Sequence, residues 1–67
     1  MKRNDLIRVI RRQSRAAGLS FDIVREGSEH EIWQVGDTTI SMPGHREISS
    51  GVARRILKVI EDELEGR

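Results

Sequence analysis

The apolar residues of this chain change period twice, and that change restricts the possible folds more than any other feature of the sequence. Leu6, Ile7, Ile10, Ser14 and Ala17 fall on one side of a helical wheel, with Arg8, Arg11, Arg12 and Arg15 clustered opposite. From Ser20 the pattern alternates instead, with Phe21, Ile23 and Arg25 set against Asp22, Val24 and Glu26, as in a strand with two unlike faces. Helical spacing returns at Val52, where Val52, Ala53, Ile56, Leu57, Ile60 and Leu64 form one broad stripe. The periods therefore predict a helix at each end and strands between them.

The punctuation residues agree with this order. Asn4 is suited to cap the first helix, Asp5 places a negative charge in its first turn, and Gly18 is its natural stop. Gly27-Ser28 reads as a turn, His30 to Val35 as a second strand, and Gly36-Asp37 as a tight hairpin turn. Thr38 to Met42 follows as a third strand, ended by Pro43-Gly44. Ser49 and Ser50 are both suitable caps for the last helix. Short connections predict an antiparallel meander, and two amphipathic helices are most economically placed on one face of it. The expected fold is α+β with the order α-β-β-β-α, the architecture of a double-stranded-RNA-binding domain. A helix-turn-helix module fits poorly, because a whole sheet separates the two helices.

With 67 residues there is material for one hydrophobic core, so residues 1–67 are read as a single domain. There is no cysteine, and the two histidines lie far apart without a carboxylate-histidine pattern, so neither a metal nor a cofactor is expected. Arg8, Arg11 and Arg12 interrupt the first apolar stretch, which excludes a signal-peptide core or membrane span there and leads to an expected cytoplasmic location. The net charge of +1 conceals a strong asymmetry. Lys2, Arg3, Arg8, Arg11, Arg12 and Arg15 face only Asp5 in the first twenty residues, whereas Glu61, Asp62, Glu63 and Glu65 crowd the end. A basic front of this kind suits a polyanion, and the acidic end suits solvation or a partner.

Several segments together resemble the HicA family, small toxins of bacterial toxin-antitoxin pairs. They are the basic start with its Asp-Leu-Ile helix opening, the strand Phe21-Asp22-Ile23-Val24-Arg25-Glu26, and Gly27-Ser28-Glu29-His30-Glu31-Ile32-Trp33. The third strand ending in Pro43, then His45-Arg46-Glu47-Ile48, Gly51 and Ala53-Arg54-Arg55-Ile56-Leu57 complete the match, which runs through nearly the whole chain. The resemblance implies a double-stranded-RNA-binding-like fold, metal-independent cleavage of RNA (mRNA), and neutralisation by a HicB-like antitoxin protein. It maps the family's histidine onto His30 and sets Ser28 beside it as an RNA contact.

Histidine suits this chemistry because its neutral ring can take a proton from a ribose 2′-hydroxyl and its charged form can protonate the leaving oxygen. Such a reaction yields a 2′,3′-cyclic phosphate. Acidic side chains at 29 and 31 would favour the charged imidazolium if they approach His30. His45 follows Gly44, whose flexibility allows it to approach a phosphate, although a loop histidine without catalytic part is the plainer reading. Lys2, Arg3, Arg8, Arg11, Arg12 and Arg15 suit RNA phosphates, as do Arg46, Arg54, Arg55 and Lys58 near the last helix, whose exposed amides also attract anions. Solvation, or pairing of Arg54 and Lys58 with Glu61, Asp62 or Glu65, is the alternative use of those charges. Strand parity sets Trp33 opposite Ile32, and the core is the commoner place for the tryptophan. Two other classes of function compete with the nuclease: a non-catalytic RNA-binding or antitoxin-binding module, and a purely protein-binding domain.

Overall fold

Each stretch of constant period becomes one element in the computed structural model, which describes residues 1–27 and 29–66. The order is α1 (Arg3–Ala16), β1 (Phe21–Glu26), β2 (His30–Val35), β3 (Thr38–Pro43) and α2 (Ser50–Glu65). Ser28, expected in a turn and as an RNA contact, lies outside the described residues. The strands form one antiparallel sheet in the order β1-β2-β3. This is the α-β-β-β-α layout that the periods require.

One core joins the layers. Leu6 and Ile10 of α1 and Ala53, Ile56 and Ile60 of α2 are buried against Phe21, Trp33, Val35, Ile40 and Met42 of the sheet, with Ile48 sealing the connection before α2. α1 packs on β1 and α2 on β3, and the helices also touch each other. The ring of Trp33 is stacked on that of Phe21, 4.6 Å between centroids, so the tryptophan is a core residue. Ser14 is the buried polar member of α1, and its hydroxyl donates to the Ile10 carbonyl at 2.8 Å, which removes the cost of burying it.

The helix ends follow the expected chemistry with one correction. α1 begins two residues earlier than the Asn4 cap predicts: Lys2 is the capping residue and contributes no side-chain hydrogen bond. The reason is tertiary. Met1 and Lys2 run antiparallel to Glu47 and Ile48, with the Ile48 N–H donating to the Met1 carbonyl at 2.7 Å and the Arg3 N–H to the Arg46 carbonyl at 2.8 Å. That pairing satisfies the Arg3 N–H, one of the first-turn amides that have no partner within the helix. At the other end Gly18, at φ 74°, lets the Gly18 and Leu19 amides reach back to the Arg15 and Ser14 carbonyls. Ser49 caps α2, accepting from the Val52 N–H.

A second correction concerns β1. Alternation predicts Arg25 on the face of Phe21 and Ile23, but the register passes from Ile23 opposite Trp33 to Arg25 opposite Ile32, leaving Val24 as an extra residue. This bulge moves Arg25 to the face of Asp22, which pairs with Gln34.

Because Ile10 and Met42 are fully buried at the junction of helices and sheet, truncation of either leaves a cavity in the one core. Ile10→Ala or Met42→Ala should each cost about 2–5 kcal/mol in urea unfolding. Thr39→Ala on the exposed side of β3 should leave stability within about 0.5 kcal/mol.

Candidate functional site

Burial of Trp33 and Val35 fixes which way every side chain of β2 points. Glu31 shares their face, and His30, Ile32 and Gln34 take the other, which no helix covers. His30 is exposed at the first position of β2, opposite Pro43 at the end of β3. The backbone around it is drawn tight by two glycines. The Gly27 N–H donates to the His30 carbonyl at 2.9 Å, and the Gly44 N–H to the Glu29 carbonyl at 2.8 Å. A Cβ on Gly27 would meet the His30 carbonyl at 2.8 Å, and one on Gly44 would meet the Glu29 carbonyl at 3.0 Å, so larger residues would push this end of the sheet apart.

Beside this end lies an open cleft of about 490 Å³ lined by Lys2, Arg3, Asn4, Gly44 and Arg46. It forms because the first residues of the chain pair with the connection between β3 and α2, setting three cationic side chains around the start of α1. Charge and the amino-terminal end of a helix dipole act there in the same sense, toward an anion. Arg3 is only partly available. Its guanidinium forms an ion pair with Glu31 and donates to the Pro43 carbonyl at 3.1 Å, tying α1 to β2 and β3 at once. The Glu31 carboxylate also accepts from the Trp33 indole N–H at 3.2 Å. Glu31 therefore points away from His30, with its charge compensated by Arg3.

The other candidate cations are not brought to His30. Arg8, Arg11, Arg12 and Arg15 line a shallow groove on α1, whose sheet-facing side is occupied by Leu6, Ile10 and Ser14. They look out from the helix layer, and His30 looks out from the opposite side of the sheet. Arg11 lies 5.3 Å from the Phe21 ring centre in a cation–π contact, and Arg8 pairs with Asp5 at 3.3 Å. Arg54 is exposed on α2, in a groove with Met1, Ala53 and Leu57. Lys58 pairs with Asp62 at 3.4 Å, and its ammonium pKa is raised by that hydrogen bond and by the charges of Asp62 and Glu61, so this member of the second patch serves the acidic end of α2. His45 and Arg46 are exposed in the connection that walls the cleft.

Sequence reasoning missed two contributors. Asn4 lines the cleft instead of capping α1, and Glu31 serves as the internal acceptor for Arg3 and Trp33. The signal for Glu31 was present, since it lies two residues before an inward tryptophan and so shares its face. Among the described residues, no group of three or more His, Cys, Asp or Glu side chains is placed to hold a metal ion, and no helix is long and apolar enough to cross a membrane.

Arg3 and Glu31 are both mostly buried, so removing one leaves the other without its counter-charge. Glu31→Gln or Arg3→Met should cost about 1–3 kcal/mol in chemical unfolding, and the double variant should lose less than the two single losses added together. In comparisons with known proteins, no family model, no curated protein and no solved structure matches this chain.

Proposed function

We propose that this chain is an endoribonuclease of the toxin type, resembling the HicA family, in which His30 performs the proton transfers and the Lys2–Arg46 cleft holds the RNA backbone. The observation that carries this reading is the union, at one end of the sheet, of an exposed imidazole and a cationic cleft joined through the Glu29–Gly44 hydrogen bond. A phosphate bound by Lys2 and Arg46 sets the neighbouring ribose at the rim where β2 begins. There the neutral His30 ring takes the proton of a 2′-hydroxyl, the freed oxygen attacks phosphorus, and the bond to the 5′ oxygen breaks. The imidazolium so formed, or the exposed His45 beyond Gly44, returns a proton to the departing oxygen. The products are a 2′,3′-cyclic phosphate and a 5′-hydroxyl. In this reading the reaction draws on no metal or cofactor, the substrate is mRNA in the cytoplasm, and a HicB-like antitoxin protein restrains the enzyme.

One feature favours a second reading, a binding module of the same fold without catalysis. Glu29 is an exposed carboxylate directly before His30, where it opposes the approach of phosphate.

Cleavage of a defined RNA in the presence of a chelator separates the two. His30→Ala should reduce the rate by about 10²- to 10⁴-fold while leaving RNA affinity in place. Parent protein that binds RNA without cutting it supports the module, and equal cleavage by His30→Ala removes the histidine from the mechanism. Lys2→Ala or Arg46→Ala should weaken binding and lower the slope of affinity against salt by about 1 each. Arg8→Glu with Arg12→Glu should act less; the opposite ranking would move the RNA to the outer face of α1.

A further inference from the structure

The β1 edge carries a pattern of faces, charges and backbone groups that fits a copy of itself. β1 is an outer strand of the sheet, and two of the three large apolar side chains exposed on the described surface, Ile23 at 38% and Val24 at 56%, lie side by side at its centre. Asp22 and Arg25 flank them. In a regular strand these two charges would point to opposite faces, but the bulge at Val24 sets both on the face opposite to the helices, where they pair with Gln34 and Ile32. Phe21 and Glu26 both take the helix face, opposite Val35 and Glu31.

Backbone direction agrees with the same pairing. The Gly36 N–H donates to the Ser20 carbonyl and the Gly27 N–H to the His30 carbonyl, marking hydrogen-bonded pairs at the two ends of the β1–β2 ladder. Counting inward from each end, Asp22 and Arg25 turn their backbone groups toward β2, and Phe21, Ile23 and Glu26 turn theirs outward. We propose that β1 pairs antiparallel with β1 of a second copy about a two-fold axis between Ile23 and Val24, joining the two sheets into one of six strands. Asp22 of each copy then stands opposite Arg25 of the other in a close, non-hydrogen-bonded pair, and Ile23 stands opposite Val24. Phe21 stands opposite Glu26 with backbone groups of both directed across the interface. Glu26 of the second copy thereby approaches Arg11, whose guanidinium lies over the Phe21 ring. The Asp22–Arg25 and Phe21–Glu26 pairs match in face. Without the extra residue the two charges would lie on opposite sides of the joined sheet, so a bulge that commonly protects an edge here makes the edge self-complementary. β3, the other edge, ends in Pro43 and carries no such charge pair.

The interface is small, so association is expected at about 10⁻⁴ M. Sedimentation velocity of the full chain across that concentration, with circular dichroism to confirm folding, tests the pairing independently of any nuclease activity. Asp22→Arg alone sets arginine against Arg25, and Arg25→Asp alone sets aspartate against Asp22. Each should weaken self-association by about tenfold or more. An equimolar mixture of the two variants should associate at least as well as the parent, because both cross-strand pairs are then of opposite charge. A parent that remains monomeric at about 1 mM overturns the proposal. So do single variants that dimerise like the parent, or a mixture that fails to recover association.

Discussion

The constraint on which the rest of this structure depends is the alternation of β2. Trp33 and Val35 are the side chains by which the middle strand joins the core shared with residues of both helices, and once they are buried the remaining positions have no freedom. Glu31 is carried under the helices, where it needs a cation and finds Arg3. His30 is carried to the uncovered face, at the end of the sheet where two glycines allow the backbone to close tightly. One hydrophobic decision thus places an acid inside and an imidazole outside.

The same decision gives Arg3 its unusual position. As the first residue of α1 it would ordinarily project into solvent, yet its guanidinium reaches both Glu31 and the Pro43 carbonyl. It pins the start of the helix to the end of the sheet. It also answers the like charges of Glu26 and Glu31, which stand opposite each other across β1 and β2 and would otherwise oppose that pairing. Lys2 and Arg46, not tied in this way, are left as the cations of the cleft. The basic residues of the first helix and its flank, together with Arg46, therefore divide into three uses: an internal tie, an anion-attracting cleft, and an outer helix face turned away from His30.

The chain also manages its two sheet edges unequally. α2 packs against β3, whereas β1 leaves Ile23 and Val24 half open despite its contacts with α1. The bulge in β1 changes the face of every residue after it, which is how a strand of six residues comes to present Asp22 and Arg25 together.

What the sequence determined by itself was everything carried by local period and turn chemistry. Two amphipathic helices, three short strands, the hairpin at Gly36-Asp37, the stop at Gly18 and a cap at Ser49 or Ser50 are all properties of a few neighbouring residues, and the single core follows from the stripes they create. Parity also sets His30 opposite whichever face the tryptophan takes, but its exposure followed only once the fold buried Trp33. Tertiary structure alone decided the start of α1, the turning of Arg25, and the sorting of the arginines. Each depends on a partner distant in sequence: the backbone of residues 46–48 for Lys2 and Arg3, the register against β2 for the bulge, and an inward carboxylate for the Arg3 side chain. A charge announces only that it must be solvated or paired; which of these it receives is set by what folding brings within its reach.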